Sequence, residues 1–194
     1  FTTDMQEGDT GWWGVQDVMV STAVDHPSPP APPSAPGLWA APIKDHWPGA
    51  VGWSGTSSEL STCGTLGTML GGYGLFGPGA YVEKTVPLAA AHSAIRIRAT
   101  FNKIDEWRGR RALLYVDGGL AWMTQELRNC NGCNYQNGCG STQWRSGDDE
   151  VFTVDVTIAH VSAEAVVRFT TDMQEGDTGW WGVQDVVVST VAVS

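Results

Sequence analysis

Apolar and polar residues alternate with a period of two along much of this chain. In residues 93–102 (SAIRIRATFN), Ile95, Ile97, Ala99 and Phe101 take one face, and Arg96, Arg98 and Thr100 take the other. That is the pattern of a strand buried on one side. Residues 151–159 (VFTVDVTIA) repeat it, with Phe152, Val154, Val156 and Ile158 facing inward. Residues 112–116 and 120–127 flank Asp117-Gly118-Gly119, a hairpin signal because Asp and Gly accept the positive φ of a tight turn. Residues 165–171 and 181–189 supply two more strands. No stretch of about twelve residues carries a helical period. Short strands joined by Gly-rich turns predict an all-β fold, an antiparallel β-sandwich of the jelly-roll kind.

Two segments break the alternation. Residues 25–37 (DHPSPPAPPSAPG) hold six prolines, at positions 27, 29, 30, 32, 33 and 36. Proline fixes φ and removes a donor, so this stretch is predicted as an extended polyproline II linker rather than a helix or central strand. Residues 66–80 (LGTMLGGYGLFGPGA) are glycine-rich but lack the Gly-Lys-Ser/Thr ending of a phosphate cradle and precede a strand, not a helix. They are predicted as a tight loop packed on the sandwich, with glycines serving positive φ.

The chain also repeats itself. Residues 1–22 (FTTDMQEGDTGWWGVQDVMVST) recur as residues 169–190, differing only in Met19 against Val187. The two copies lie 168 residues apart, about the size of one domain. A domain has one place for a given core strand, so both copies cannot fill it. The predicted organisation is therefore residues 1–24 as the last strands of a preceding repeat or a donor segment, residues 25–37 as linker, and residues 38–194 as the repeat domain.

Composition narrows the classes. Charged residues make up 16% of the chain, with 24 Gly and 10 Trp, too apolar and aromatic for a disordered chain. A net charge of −10 disfavours nucleic acid, which needs a basic footprint. No run of about 18 apolar residues is present to span a bilayer. The four cysteines are Cys63, Cys130, Cys133 and Cys139. Two disulfides are expected, Cys130–Cys133 as the short bridge and Cys63–Cys139 as the long one, which places the chain outside the cell. The rival is a four-cysteine zinc site; the spacing of Cys130 and Cys133 permits it, but a second such pair is missing.

The order of motifs GGYGLFGPGA (71–80), His92 before a strand, TFNKIDEW (100–107), YVDG (115–118), VDVTIAH (154–160) and RFTTDMQEGDTGWWGVQDVVV (168–188) resembles a tandem-repeated domain of large extracellular surface proteins of ciliates, dinoflagellates and algae. The resemblance covers residues 62–190 and implies β-sandwich modules strung in series. Relatives usually carry an acidic pair just before the Trp-Gly of the last motif, where this chain has Thr178-Gly179-Trp180. The linker resembles hydroxyproline-rich glycoproteins of green algae and plants. That resemblance implies hydroxylation and O-glycosylation at Pro27, Pro29, Pro30, Pro32, Pro33 and Pro36, with Ser28 and Ser34 as further candidates.

Other candidate chemistry is sparse. Asp172, Glu175 and Asp177 fall within six positions and could offer oxygens to calcium, although no EF-hand spacing is present. The bland reading is a solvated acidic loop. The pairs Trp12-Trp13 and Trp180-Trp181 start strands, so one ring of each pair must face out, a candidate contact with a neighbouring unit or the linker. Trp107, Trp122, Trp144 and Trp181 could alternatively stack on sugars. Catalysis lacks support: the sequence GWSGT at 52–56 fails the nucleophile-elbow pattern, and His26, His46, His92 and His160 form no motif. The chain is thus expected to be a non-enzymatic structural subunit of an extracellular, O-glycosylated fibril or coat, its partners being identical neighbouring repeats. The alternative is a carbohydrate-binding adhesion module, with or without calcium.

Overall fold

The computed structural model describes residues 43–45, 51–88, 91–127, 139–140 and 149–192. The chain divides into two units, Phe1–Ala31 and Pro32–Ser194, and every described residue belongs to the second. Residues 1–24 with Trp12 and Trp13, the linker at 25–37 with its glycosylation candidates, Trp144, Cys130 and Cys133 lie outside the described residues.

The described residues form two antiparallel sheets packed face to face. In chain order the strands are β1 Ile43–Asp45, β2 Ser54–Gly55, β3 Leu60–Cys63, β4 Gly67–Gly71, β5 Tyr81–Pro87, β6 His92–Ile104, β7 Ala112–Val116, β8 Gly119–Met123, β9 Glu150–Ala159, β10 Glu164–Thr171 and β11 Trp180–Ala192. One sheet runs β3-β4-β11-β6-β9, with β1 continuing the β4 edge of β11; the other runs β2-β5-β10-β7-β8. The fold is an all-β sandwich of the jelly-roll type, and among the described residues the helical content is one 3-10 turn at Gly64–Leu66.

Alternation explains the core. On β6 and β9 the cross-strand pairs Ile95–Ile158, Ile97–Val156, Ala99–Val154 and Phe101–Phe152 share the inner face. Across from them, β10 contributes Ala165, Val167 and Phe169, and β7 contributes Ala112, Leu114 and Val116. The long central strand β11 changes parity on the way. Trp181 and Val183 face the core, and after a bulge between Gln184 and Val187 so do Val186 and Val188. Asp185 takes φ 51° there, and the extra residue flips the inward set from odd to even positions.

Two expectations change. Part of the segment 66–80 is a strand, because Leu70 fills the main core while Met69 points the other way into a smaller cluster with Ile104, Cys63 and Cys139. The loop begins only at Gly72. Gly71 closes the strand at φ 78°, where a Cβ would run into the Phe76 ring. The strand expected over 120–127 ends at Met123, and Leu127 returns only as an isolated bridge to Arg110.

Two ties hold the edges. Cys63 is disulfide-bonded to Cys139 across 76 residues of sequence, with Cα atoms 4.9 Å apart. On the other side, Lys84 Nζ on β5 donates to both carboxylate oxygens of Asp45 on β1, at 2.8 and 2.9 Å. Trp53 Nε1 donates to the same carboxylate at 3.1 Å. The ion pair therefore joins the two sheets, and its side chains are only 14% and 12% exposed.

Candidate functional site on the outer face of the five-stranded sheet

The residues that β5, β10 and β7 turn away from the core meet in one row. Strand β10 buries Ala165, Val167 and Phe169, so Val166, Arg168 and Thr170 must face out. The register places Arg168 directly between Glu83 on β5 and Tyr115 on β7. Thr170 lies between Tyr81 and Leu113. Glu83, Tyr115, Val166, Arg168 and Thr170, with Asp117 and Gly118 of the β7–β8 turn, line an open dish of about 690 Å³.

Arg168, Thr170 and Asp117 are each held by a neighbour. The Arg168 guanidinium lies 3.9 Å from the centre of the Tyr81 ring, a cation–π stack. Its Nη1 is 3.9 Å from Glu83 Oε2, beyond hydrogen-bonding range, which leaves donors and acceptors of both groups for a third partner. Thr170 donates its hydroxyl to Ala80 O at 2.8 Å, so its oxygen keeps lone pairs to offer.

Asp117 forms the end wall. It takes φ 50°, as the tight hairpin requires, and its Oδ1 accepts the Val166 N–H at 2.8 Å. Its Oδ2 lies 3.0 Å from His160 Nε2, and His160 Nδ1 lies 2.9 Å from His92 Nε2. A carboxylate only accepts, so with neutral rings the chain runs from His92 N–H to His160, and from His160 N–H to Asp117. The two imidazoles lie edge to edge, with centres 5.2 Å and planes 9° apart as an in-plane N–H···N bond requires, and both are buried. This relay ties the ends of β6 and β9 in one sheet to the turn of the other. Sequence reasoning noted both histidines singly but missed the pair. They are 68 residues apart, and only the β6–β9 pairing brings them together.

Two of the three candidate metal residues are engaged by arginines. Asp172 accepts the Arg111 backbone N–H at 2.5 Å and faces its Nη1 at 3.3 Å. Asp177 accepts the Gln174 N–H at 2.7 Å and lies 2.8 Å from Arg110 Nε. Glu175 is exposed. The two aspartates are thus turned to guanidinium groups, and among the described residues no group of three or more His, Cys, Asp or Glu is placed to hold a metal ion. The disulfide also removes Cys63 and Cys139 from the four-cysteine zinc alternative.

Trp180 and Trp181 fall on opposite faces as alternation requires, and Trp181 is the inward one. Its ring is fully buried, stacked on Phe101 at 5.3 Å and tilted against Phe76 at 4.6 Å, so it fills the core and meets no neighbouring unit. Trp107 is buried as well, and Trp122 packs partly against the core, so neither ring is a free platform for sugar. Trp180 takes the opposite face, half-buried, with Tyr73 at 5.5 Å. The outer face of the other sheet carries a close ion pair. There Arg96 donates to both oxygens of Asp155, at 2.7 and 2.6 Å, which holds the Asp155 carboxyl below the usual carboxylate range and raises Arg96.

Fold and dish together define an antiparallel β-sandwich with a polar and aromatic recess on one sheet face. No family model and no curated protein matches the sequence. Several solved structures are similar in fold, among them carbohydrate-binding modules. The C-terminal CBM6 of LamC, a marine laminarinase from Zobellia galactanivorans, is 11% identical over 77% of this chain and 99% of its own, with a TM-score of 0.44. The carbohydrate-binding module CBM36 in complex with calcium and xylotriose is 11% identical over 78% of this chain and 99% of its own, with a TM-score of 0.36. A family 35 module from Clostridium thermocellum is 9% identical over 72% and 92%, with a TM-score of 0.38. Among the described residues no helix is long and apolar enough to cross a membrane.

Proposed function

We propose that this domain binds carbohydrate in the dish on its five-stranded sheet. The observation that carries the reading is the row Glu83, Arg168 and Tyr115, which sets an acceptor, a planar donor fork and an aromatic ring side by side on a rigid sheet. Sugars present that same mixture: hydroxyls that both donate and accept, and C–H faces that lie on aromatic rings. Tyr115 serves the ring face, Arg168 and Glu83 serve hydroxyls, and Thr170 and Gly118 leave room for the chain. Asp177 and Asp172 face Arg110 and Arg111, so the proposed contact with sugar is direct. The role is binding without catalysis, and the disulfide supports an extracellular setting. A glycan array probed with the whole chain tests the reading. Binding to a defined set of glycans that disappears in Arg168→Ala and Tyr115→Ala supports it; binding that survives both changes removes the site.

A second reading is favoured by the duplicated segment. The single place for residues 169–190 is filled, by the end of β10 and by β11, so the copy at 1–22 calls for another body. On this reading the chain is a repeat of an extracellular fibril or coat, spaced by a linker glycosylated at its prolines and serines. Electron micrographs of the native material, with mass spectrometry of residues 25–37, test it: fibres of regular axial rise with hydroxyproline-linked sugars are expected, and isolated particles with an unmodified linker speak against it.

A further inference from the structure

The structure shows what residues 169–190 need from their surroundings, and residues 1–22 repeat those needs position by position. Trp181, locked between Phe101 and Phe76, has Trp13 as its counterpart. Gly179 packs where any Cβ would strike Trp107, and Gly182 where a Cβ would come within 2.5 Å of Met69 Sδ; Gly11 and Gly14 repeat both. The parity-shifting bulge at Asp185 has Asp17 in its place, followed by Val18 and Val20 for the core positions Val186 and Val188. Asp4 and Asp9 match Asp172 and Asp177, the partners of Arg111 and Arg110. The one difference falls at Val187, which lies opposite Arg98 and Lys44 and is buried but stands outside the main core cluster. A volume-tolerant swap at such a place costs little.

We propose that residues 1–22 are a donor segment for the β10–β11 place of a second copy of this chain. The complementary surface is the open edge left between β4 and β6 when β11 is withdrawn, with Phe101, Phe76 and Met69 as its pockets. The donor adds by backbone pairing along both edges and by inserting Trp13, as strand addition does. Within one chain, β11 is tethered to its own place at a millimolar-scale effective concentration, so the exchange stays silent in dilute wild-type protein. It becomes dominant where β11 is impaired or copies are crowded. Each copy would give a donor and take one, which makes a head-to-tail contact that does not close on itself. The inference rests on the duplicated segment and not on sugar binding, and its test reads assembly alone.

The test uses the full chain with Trp181→Asp, which spoils β11 but leaves the segment 1–22 intact. This variant is expected to shift from a single-chain mass to dimers and longer species by light scattering, while keeping the near-UV circular dichroism of a packed tryptophan. Adding Trp13→Asp to the same chain should abolish both signals. A synthetic peptide of residues 1–22 should then restore the near-UV signal of the double variant, and a Trp13→Asp peptide should not. The proposal is overturned if the single and double variants behave alike, if the single variant is a folded monomer, or if the two peptides act equally.

Discussion

The Arg168 guanidinium lies over the Tyr81 ring, its Cζ 3.9 Å from the ring centre, and this cation–π contact holds the fork of Arg168 at the dish. Tyr81 therefore acts through Arg168, while Tyr115, the cross-strand partner of Arg168 on the other side, keeps its own contact with the dish. Positioning and contact are thus divided between two tyrosines on neighbouring strands.

Substitutions should separate those roles. Tyr115→Ala and Arg168→Ala are each expected to weaken glycan binding by about tenfold or more, the equivalent of ~1.4 kcal/mol. Arg168→Lys should not restore it, because an ammonium offers no planar fork and stacks less well. Tyr81→Phe should bind normally, since only the ring face is used. Titration calorimetry with a glycan identified on the array gives the comparison, and normal affinity in Arg168→Lys would count against the assigned geometry.

Much of the architecture can be read from the sequence, and the reason is local. A half-buried strand writes its environment as alternation, so β6, β7, β9 and β10 announce themselves through residues such as Ile95, Ile97 and Val154. Strand β4 does not, because its Met69 and Leu70 fill different clusters on opposite faces and glycines surround them. The dish was hidden for another reason. Glu83, Tyr115 and Arg168 are outward residues on three strands with no fixed spacing, and their adjacency follows only from the order β5-β10-β7. The His92–His160–Asp117 relay is invisible in the same way. The duplicated segment is the opposite case: legible at once as a repeat, it acquires physical content only when Trp181 and Gly182 are seen in place.

The disulfide ties a long loop. Closing 76 residues restricts the unfolded chain by roughly 4–5 kcal/mol on a chain-entropy estimate, and Cys63 and Cys139 are both buried in the cluster with Met69 and Ile104. A Cys63→Ser, Cys139→Ser double variant should lose about 2–5 kcal/mol in urea unfolding, with a steeper slope because the unfolded chain is no longer cross-linked and exposes more surface. A loss below ~1 kcal/mol would show that packing alone holds this edge.

Gly182 tests the close approach of β11 and β4. A Cβ there would come within 2.5 Å of Met69 Sδ and 3.0 Å of Leu70 O, and the second contact is backbone that cannot swing away. Gly182→Ala is expected to cost about 1–3 kcal/mol by overpacking, with a corresponding fall in melting temperature. An unchanged melting temperature would mean that the two strands stand further apart.

Lys84 and Asp45 test the tie between the sheets. Lys84→Met keeps the stem but leaves a mostly buried carboxylate with only the Trp53 N–H as a partner. The expected loss is ~2 kcal/mol, the scale of hydrogen bonds to charged groups. The double variant Lys84→Met, Asp45→Leu should recover much of it, because removing both polar partners costs less than orphaning one. A double variant no better than the single one would place the energy in packing around Trp53 instead.

Acid titration should pick out Asp155. Its carboxyl sits below the usual range because Arg96 donates two hydrogen bonds to it, so its folded value is lower than the unfolded value of about 3.9. A group depressed on folding contributes stability that is complete above the unfolded value and is lost as pH falls through the folded one. The side chains are 37% and 40% exposed, and solvent screening limits the pair to at most ~1 kcal/mol. Asp155→Asn should therefore lower stability slightly at about pH 7, and the gap from wild type should narrow toward about pH 2, as acid begins to protonate the wild-type carboxyl too. Urea unfolding at the two pH values measures this directly. A gap that stays constant or widens on acidification would show that Asp155 acts through packing rather than through its charge.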